Sequence, residues 1–283
     1  MWKLPSNSII FPFPSGWETI QKGEHMSQSP DLSYKEVGRD LAIRIRAHTE
    51  FANFQLEDWL AENLIIPAGG ALLEIGCGDG NWFETWAKAL GETGLIVGID
   101  KAGEILAKAE AREIDCRRLL LKMDFNELSA FLPRSFDCAV APYSIYYAEG
   151  TQKTMAEIHA LLKEGGFAYL LGPTEQNAGE LYRLNERVFG FESAHPTKVR
   201  AGRIEAEFLP AAEELFSEVS RERVPRRIVF PSVEEFVEYY RATLLFSESC
   251  KKAGRTPSPE EIEATGWDEL ILSKEIVMVE ARR

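Results

Sequence analysis

The chain has 283 residues, of which 45% are hydrophobic and 11% aromatic, so it can bury a large core and is not disordered as a whole. Its 45 acidic residues outnumber its 32 lysines and arginines, which gives a formal net charge of -13. This acidity disfavours a general nucleic-acid-binding function, because such a function needs a broad basic face.

The cysteines and the apolar segments indicate the compartment. The four cysteines are widely spaced and form no Cys-x-x-Cys pair, so we expect a reducing compartment and no structural metal site. No apolar run approaches the roughly 18 residues that a membrane-spanning helix needs. We therefore expect a cytoplasmic protein that contacts neither membrane nor nucleic acid.

The chain begins with a segment that has no hydrophobic periodicity. Residues 1–30 are rich in Ser, Pro, Gly and Gln and predict a flexible N-terminal arm. Met26 is an alternative start, which leaves open whether residues 1–25 are native. Residues 31–66 then show helical periodicity and predict an N-terminal helical cap. His48 falls on the apolar side of this helix, where it either packs or covers a pocket.

Residues 68–173 alternate short apolar strands with amphipathic helices. The predicted strands cover residues 71–75, 95–99, 118–123, 136–141 and 167–171. Five such repeats, with strands of the fully buried type, predict an α/β fold with a doubly wound, Rossmann-like parallel sheet.

The regular alternation of strands and helices ends after residue 173. Residues 174–273 are predicted to supply cap insertions and the remaining sheet, with helices over 177–189, 203–216, 232–246 and 259–273 and one strand over 218–230. A terminal strand is predicted within 274–283, so that one domain covers 31–283. Four arginines crowd the 218–230 strand, and they either form a solvated face or meet an anionic substrate: Arg221, Arg223, Arg226 and Arg227.

Residues suited to a nucleoside follow the first three strands, at the edge where ligands bind in open α/β sheets. Gly76, Gly78 and Gly80 allow a tight turn and the close approach of a ligand. Asp100 lies about 20 residues further on, where a carboxylate can accept hydrogen bonds from ribose hydroxyls. Asp124 stands between two apolar side chains. Together these positions indicate an adenosine-type ligand.

The spacing of the glycines separates two kinds of adenosine ligand. A dinucleotide site uses Gly-x-Gly-x-x-Gly and places a pyrophosphate at a helix N-terminus, whereas Asn81 stands here where the last glycine would fall. Glu74 and Asp79 also place two carboxylates beside the turn, which favours a cationic ligand over phosphates. A nicotinamide-dependent enzyme is therefore the weaker alternative.

The run E-I-G-C-G-D-G at 74–80 resembles the first motif of the class I S-adenosylmethionine (SAM)-dependent methyltransferases. The resemblance continues in order over 68–173, and its later motifs are V-G-I-D at 97–100, M-D-F at 123–125, F-D-C-A-V-A-P-Y at 136–143 and L-L-K-E-G-G-F-A-Y-L at 161–170. It implies a seven-stranded sheet of order 3-2-1-4-5-7-6 with an antiparallel last strand, and SAM as the methyl donor.

The resemblance also implies roles for particular residues. Asp100 would hold the ribose hydroxyls and Asp124 the adenine amino group. The implied cofactor-binding positions are Glu74, Gly76, Cys77, Gly78, Gly80, Asp100, Lys101, Asp124, Phe125, Ala141 and Pro142. No catalytic residue is assigned, because methyl transfer from a sulfonium can proceed by positioning alone.

The expected acceptor is a small molecule. Ala141-Pro142-Tyr143-Ser144 departs from the Asn/Asp-Pro-Pro-Tyr/Phe pattern of enzymes that methylate adenine or glutamine, and no Pro-Cys pair of the cytosine type is present. We expect residues 177–273 and the helix over 42–64 to build the acceptor pocket over the ends of strands 4 and 5. Its expected lining residues are Tyr143, Tyr146, Tyr147 and Tyr240. A SAM-binding protein without turnover remains the alternative from another class, and the oligomeric state is left open.

Overall fold

The computed structural model describes residues 38–192, 200–266 and 270–283. The arm expected over 1–30 lies outside these ranges. The strands are β1 (Ala71–Ile75), β2 (Leu95–Asp100), β3 (Arg117–Lys122), β4 (Phe136–Pro142), β5 (Leu162–Pro173), β6 (Glu218–Val224), β7 (Arg227–Val229), β8 (Ile271–Ser273) and β9 (Ile276–Arg282).

Seven of the strands form one sheet of order β3-β2-β1-β4-β5-β9-β6. Neighbours from β3 to β5 are parallel, and β9 runs antiparallel to both β5 and β6. The predicted fold class is confirmed, with β9 in the place expected for the seventh strand.

Both faces of the central sheet are buried. Successive strand residues point to opposite faces, so Leu73 and Ile75 of β1 join one apolar cluster while Leu72 joins the other. This burial on both faces explains why the strands read as continuous apolar runs.

The helices cover these faces and build the rest of the molecule. They are α1 (Gly38–Glu50), α2 (Leu56–Asn63), α3 (Phe83–Leu90), α4 (Gly103–Glu110), α5 (Thr151–Leu161), α6 (Gly179–Phe189), α7 (Leu209–Leu215), α8 (Val233–Arg241), α9 (Leu244–Ala253) and α10 (Pro259–Glu263). Short 3-10 helices span Phe125–Ala130 and Ile145–Tyr147, and a π-helical turn, Ile204–Phe208, precedes α7. In the described ranges no helix has the length and apolar character to cross a membrane.

The single strand predicted over 218–230 is wrong. Pro225 has no N–H for a ladder, and the chain turns there with a hydrogen bond from Arg226 N to Val224 O (2.9 Å). Residues before the turn form β6 of the main sheet. Residues after it form β7, which pairs with β8 in a separate two-stranded sheet.

Three predicted helices are also interrupted. The helix over 232–246 stops at Arg241 and restarts as α9, where the Thr243 hydroxyl caps the new N-terminus by accepting from Phe246 N (3.2 Å). The helix over 259–273 ends at Glu263, and its last three residues are β8; residues 267–269 lie outside the described ranges. The N-terminal helix likewise breaks into α1 and α2.

A second core lies beside the main sheet, and we call this part the cap. Helices α1, α6, α8, α9 and α10 and the β7–β8 sheet contribute its buried side chains. Three of the points at which the chain passes between the main sheet and the cap are Pro173, Val224 and Ile276. These residues end β5, end β6 and begin the antiparallel β9, so all three lie at the carboxyl edge of the sheet. The cap therefore stands over that edge.

Candidate active site

The turn after β1 contains three glycines with φ between +55° and +74°. A Cβ on Gly76 would lie 2.4 Å from Cβ of Ser144, and one on Gly80 would lie 2.7 Å from the ring of Phe83. A Cβ on Gly78 would have no atom within 4 Å. Gly76 and Gly80 therefore permit close packing, whereas Gly78 leaves open space next to the backbone.

Glu74 is a fully buried carboxyl below this turn. Its Oε2 accepts from the indole Nε1 of Trp86 (2.7 Å), and its Oε1 has no hydrogen-bond partner in the described part of the chain. Burial raises the pKa of Glu74 to about 8, against the lowering effect of the Trp86 hydrogen bond. Asp79, the other carboxylate of the turn, is instead paired with Arg112 (3.4 Å). Of these two groups, Glu74 is the one left for a cationic ligand.

Two aspartates at the ends of β2 and β3 lie close to the glycine turn. Asp100 accepts from Gly78 N (3.0 Å) and from Ala102 N (2.8 Å), so its carboxylate links the turn to the start of α4. Asp124 accepts from the backbone and side-chain nitrogens of Asn126, both through Oδ1 (2.9 and 2.7 Å). A carboxylate has about four acceptor sites, so each aspartate keeps acceptor capacity for a ligand.

The remaining cofactor positions differ in accessibility. Cys77 is buried, its N–H donates to Ile99 O (2.9 Å), and burial raises the pKa of its thiol, so the side chain is a neutral packing group. Lys101 is exposed and Phe125 is half-buried against the core. Ala141 and Pro142 are buried at the end of β4.

Tyr143 and Tyr147 follow β4 and keep about a third of their surfaces exposed. Tyr143 has a φ of +54°, a conformation that residues other than glycine rarely adopt, and its N–H donates to Leu171 O (2.9 Å). Burial raises the pKa of its hydroxyl, which therefore stays protonated. The ring of Tyr147 lies 4.7 Å from the guanidinium of Arg200.

The other two tyrosines predicted to line the acceptor pocket lie in interiors. Tyr146 is 8% exposed and packs against Gly172 in the main core. Tyr240 is completely buried in the cap core, where its hydroxyl donates to Asn185 Oδ1 (2.7 Å). Tyr240 is therefore closed to solvent and serves the packing of the cap core, and its contact with the acceptor stays a prediction.

Comparison with known proteins identifies the domain that carries these residues. A family model described as a methyltransferase domain matches residues 72–166. Aklanonic acid methyltransferase of a Streptomyces species is 32% identical over 100 residues, which cover 35% of this chain and 46% of that protein. Demethylmenaquinone methyltransferase of Staphylococcus saprophyticus is 24% identical over 122 residues, covering 42% and 52%. This chain thus spans about half the length of these curated relatives.

The solved structures agree on the fold. A SAM-dependent methyltransferase from Aquifex aeolicus superposes with a TM-score of 0.52 at 12% identity, covering 87% of this chain and 97% of that one. Residues 72–166 therefore form a methyltransferase domain. The resemblance drawn from the motifs at 74–80 and beyond is confirmed.

The cradle of this methyltransferase domain fits SAM. The open space at Gly78 can receive the ligand, the unpartnered Oε1 of Glu74 can accept from a cationic amino group, and Asp100 has acceptor capacity for hydroxyls. No group of three or more metal-ligating side chains occurs in the described ranges.

Sequence reasoning missed two features of the methyltransferase domain. Ser144 packs on Gly76 and donates its hydroxyl hydrogen to Ile75 O, which fixes the start of the loop after β4 against the glycine turn. Arg226 contacts His48 across 178 positions of sequence. Nothing in the sequence spacing links these last two residues.

A cleft of about 410 Å³ lies near the carboxyl end of β5, on the side of α6 that faces away from the cap core. It is lined by Glu175, Gln176, Gly179, Glu180, Tyr182, Arg183, Glu186, Glu192 and Ser273. None of the predicted cofactor or acceptor residues is among them, so we do not assign the active site to this cleft.

Proposed function

We propose that the protein transfers a methyl group from SAM to a small-molecule acceptor and releases S-adenosylhomocysteine. The observation that carries this proposal is the cradle formed by Gly78, Glu74 and Asp100 at the carboxyl edge of a methyltransferase sheet. SAM supplies an electrophilic methyl group on a positively charged sulfur.

The protein's own residues bind and orient the two reactants. Asp100 accepts from the ribose hydroxyls while it holds Gly78, so cofactor binding and the shape of the turn are coupled. Asp124 accepts from the adenine amino group. Tyr143, with its protonated hydroxyl, donates a hydrogen bond that orients the acceptor. Proximity and orientation of this kind can account for much of the rate of a displacement reaction.

The acceptor is proposed to be small because the cap stands over the carboxyl edge. A large polymer would need an open face there, and the net charge of -13 disfavours a polyanion. Aklanonic acid and demethylmenaquinone, named in the two relatives, are small molecules, which supports the same choice. We propose that residues 31–283 act together, with the cap supplying acceptor contacts.

The test combines binding with turnover. Calorimetry should show binding of SAM and S-adenosylhomocysteine and none of NAD. Incubation with SAM and a panel of small phenols, carboxylic acids and amines should then yield S-adenosylhomocysteine, detected by mass spectrometry. Binding of NAD without SAM would refute the proposal. SAM binding without product from any acceptor would favour a SAM-binding protein without turnover.

A further inference from the structure

Three basic side chains and one tyrosine lie together where the cap joins the carboxyl ends of the sheet, and we call them the His48 cluster: His48, Arg226, Tyr239 and Lys274. Arg226 Nη1 donates to His48 Nδ1 (2.8 Å), and the rings of His48 and Tyr239 are 6.4 Å apart. Lys274 Nζ lies 5.8 Å from the Tyr239 ring. The backbones of Arg226 and Lys274 are joined by a hydrogen bond of 2.7 Å.

Arg226 is a buried cation that pairs with no carboxylate among the residues that the structure describes. It is 6% exposed, and its other hydrogen bonds go to the carbonyl oxygens of His48 (2.9 Å) and Phe54 (3.4 Å). In the ranges that the structure describes, no carboxylate oxygen lies within 4.0 Å of the charged nitrogens of Arg226 or Lys274. A buried charge is costly when it is not paired, so this arrangement favours the binding of an anion.

The other arginines of this segment show the contrast. Arg221 and Arg223 pair with Glu205 at 3.0 and 2.7 Å, and Arg227 is exposed on the opposite side of β7. Of the four arginines whose role the sequence left open, Arg226 alone is buried.

His48 adds a neutral donor to the cluster. Burial, together with the charges of Lys274, Arg226 and Arg44, lowers the pKa of His48 to about 2, so the ring is uncharged at physiological pH. Because an arginine can only donate, Nδ1 of His48 is the acceptor and the ring proton resides on Nε2. The histidine therefore does not repel an anion, and it offers one N–H.

The His48 cluster lies near the proposed acceptor. The positive charge of Arg226 lowers the pKa of the Tyr143 hydroxyl, against the larger raising effect of burial, so the two groups interact electrostatically. Tyr143 is followed by Ser144, whose Cβ packs on the position of Gly76 in the cofactor turn. Arg226 follows β6, Lys274 precedes the antiparallel β9 and Tyr143 follows β4, so all three lie at the carboxyl edge of the sheet, where the cofactor turn also lies.

We propose that Arg226 and Lys274 form a subsite for a carboxylate group of the acceptor, so that the protein acts on acidic small molecules. This inference rests on the proposed function and specifies its substrate class. Arg226 has five N–H donors, of which three are used in its hydrogen bonds to His48 and Phe54, so two remain for a carboxylate. Lys274 provides a second charge.

The test compares acids with their uncharged counterparts. The probes are benzoate, 1-naphthoate and 2-hydroxybenzoate, each paired with its carboxamide, titrated by calorimetry into protein saturated with S-adenosylhomocysteine. We expect each acid to bind at least about tenfold more tightly than its amide. Equal affinity within the pairs, or no detectable binding of any acid up to millimolar concentration, overturns the proposal.

Two single-residue variants test whether the preference for acids arises at the His48 cluster. Because Arg226 also ties the backbones of His48 and Phe54 into the fold, the first variant is Lys274→Met, and its thermal unfolding confirms that it is folded. It should lose most of the preference for acids. Arg227→Met, which removes the same charge from the exposed face of β7, should keep it. An equal loss in both variants would show a general charge effect and would overturn the subsite.

Failure of the carboxylate subsite can be distinguished from failure of the proposed methyltransferase function. The methyltransferase activity is tested by the affinity for S-adenosylhomocysteine and by the formation of S-adenosylhomocysteine from SAM. The carboxylate subsite is tested by the ratio of the affinities for each acid and its amide. An active enzyme that prefers amides refutes only the subsite.

Discussion

The indole Nε1 of Trp86 donates to Oε2 of Glu74 at 2.7 Å, and both side chains are completely buried beneath the glycine turn. Trp86 lies in the core on the first helix after the turn, so it fixes a carboxyl group at the base of the cofactor cradle. The second oxygen of that carboxyl has no partner in the described residues, which makes its protonation state sensitive to a ligand.

The first prediction concerns the pH dependence of stability. Burial raises the pKa of Glu74 from 4.5 to about 8 in the folded state, so the folded protein holds a proton that the unfolded chain releases. The stabilising contribution is full below pH 4.5 and is lost as the pH rises through 8. The melting temperature of the ligand-free protein should fall more steeply between pH 5 and 9 than that of Glu74→Gln. Parallel curves would contradict the assignment.

A related prediction concerns proton release. A cationic amino group beside Glu74 favours the ionised carboxylate, so SAM binding at pH 7 should release a proton. Calorimetry in buffers of different ionisation enthalpy measures this release. Glu74→Gln should bind SAM more weakly and without the Glu74-dependent release; an unchanged proton count in the variant would place the amino group elsewhere.

The third prediction tests the open space at Gly78. Gly78→Ala introduces a Cβ that meets no protein atom, so SAM affinity should fall at least about tenfold, because the methyl group occupies the ligand's space. Gly254→Ala is the matched control, since Gly254 has a φ of +64° and equally empty surroundings. Both variants should lose about 1–2 kcal/mol of stability from backbone strain. Equal SAM affinities of Gly78→Ala and Gly254→Ala would show that the ligand does not contact the turn at Gly78.

The fourth prediction concerns Asp100. Asp100→Ala removes a carboxylate that both binds ribose hydroxyls and holds Gly78 N, so SAM affinity should fall roughly 10- to 1,000-fold. Asp137→Ala is the control, because Asp137 accepts from Ala71 N (2.8 Å) at the opposite edge of the sheet. The control should lower the melting temperature and leave SAM affinity intact. Unchanged SAM affinity in Asp100→Ala would leave Asp100 with only a helix-capping role.

The fifth prediction separates two tyrosines. Tyr143→Phe removes a protonated hydroxyl at the acceptor side, so acceptor turnover should fall while SAM affinity and melting temperature stay close to those of the wild type. Tyr240→Phe leaves Asn185 Oδ1 without its buried donor, which should cost about 1–3 kcal/mol of stability with little effect on turnover. Steady-state kinetics and thermal unfolding of both variants test these expectations. The reversed result, with turnover lost in Tyr240→Phe and kept in Tyr143→Phe, would place Tyr240 at the acceptor site.

The sequence determined the parts of the structure that depend on near neighbours. Short apolar runs located β1 to β5, because the central strands are buried on both faces and need no polar alternation. The three glycines also predicted the turn, since a positive φ is a local property of the backbone. Sheet order followed from the resemblance of motifs over 68–173, and the structure confirms it.

Only the tertiary structure shows which segments pack against the apolar and charged faces of each helix and strand. Tyr239 and Tyr240 are adjacent in sequence and share one helix, yet Tyr239 belongs to the His48 cluster while Tyr240 donates a hydrogen bond to Asn185. Arg226 lies in the turn between β6 and β7 and is buried, whereas Arg227 begins β7 and is exposed. The partner of Arg226, His48, comes from a distant helix. Periodicity specifies which side of a helix or strand is buried. It does not specify the element that covers that side, because this depends on long-range packing of segments far apart in the chain.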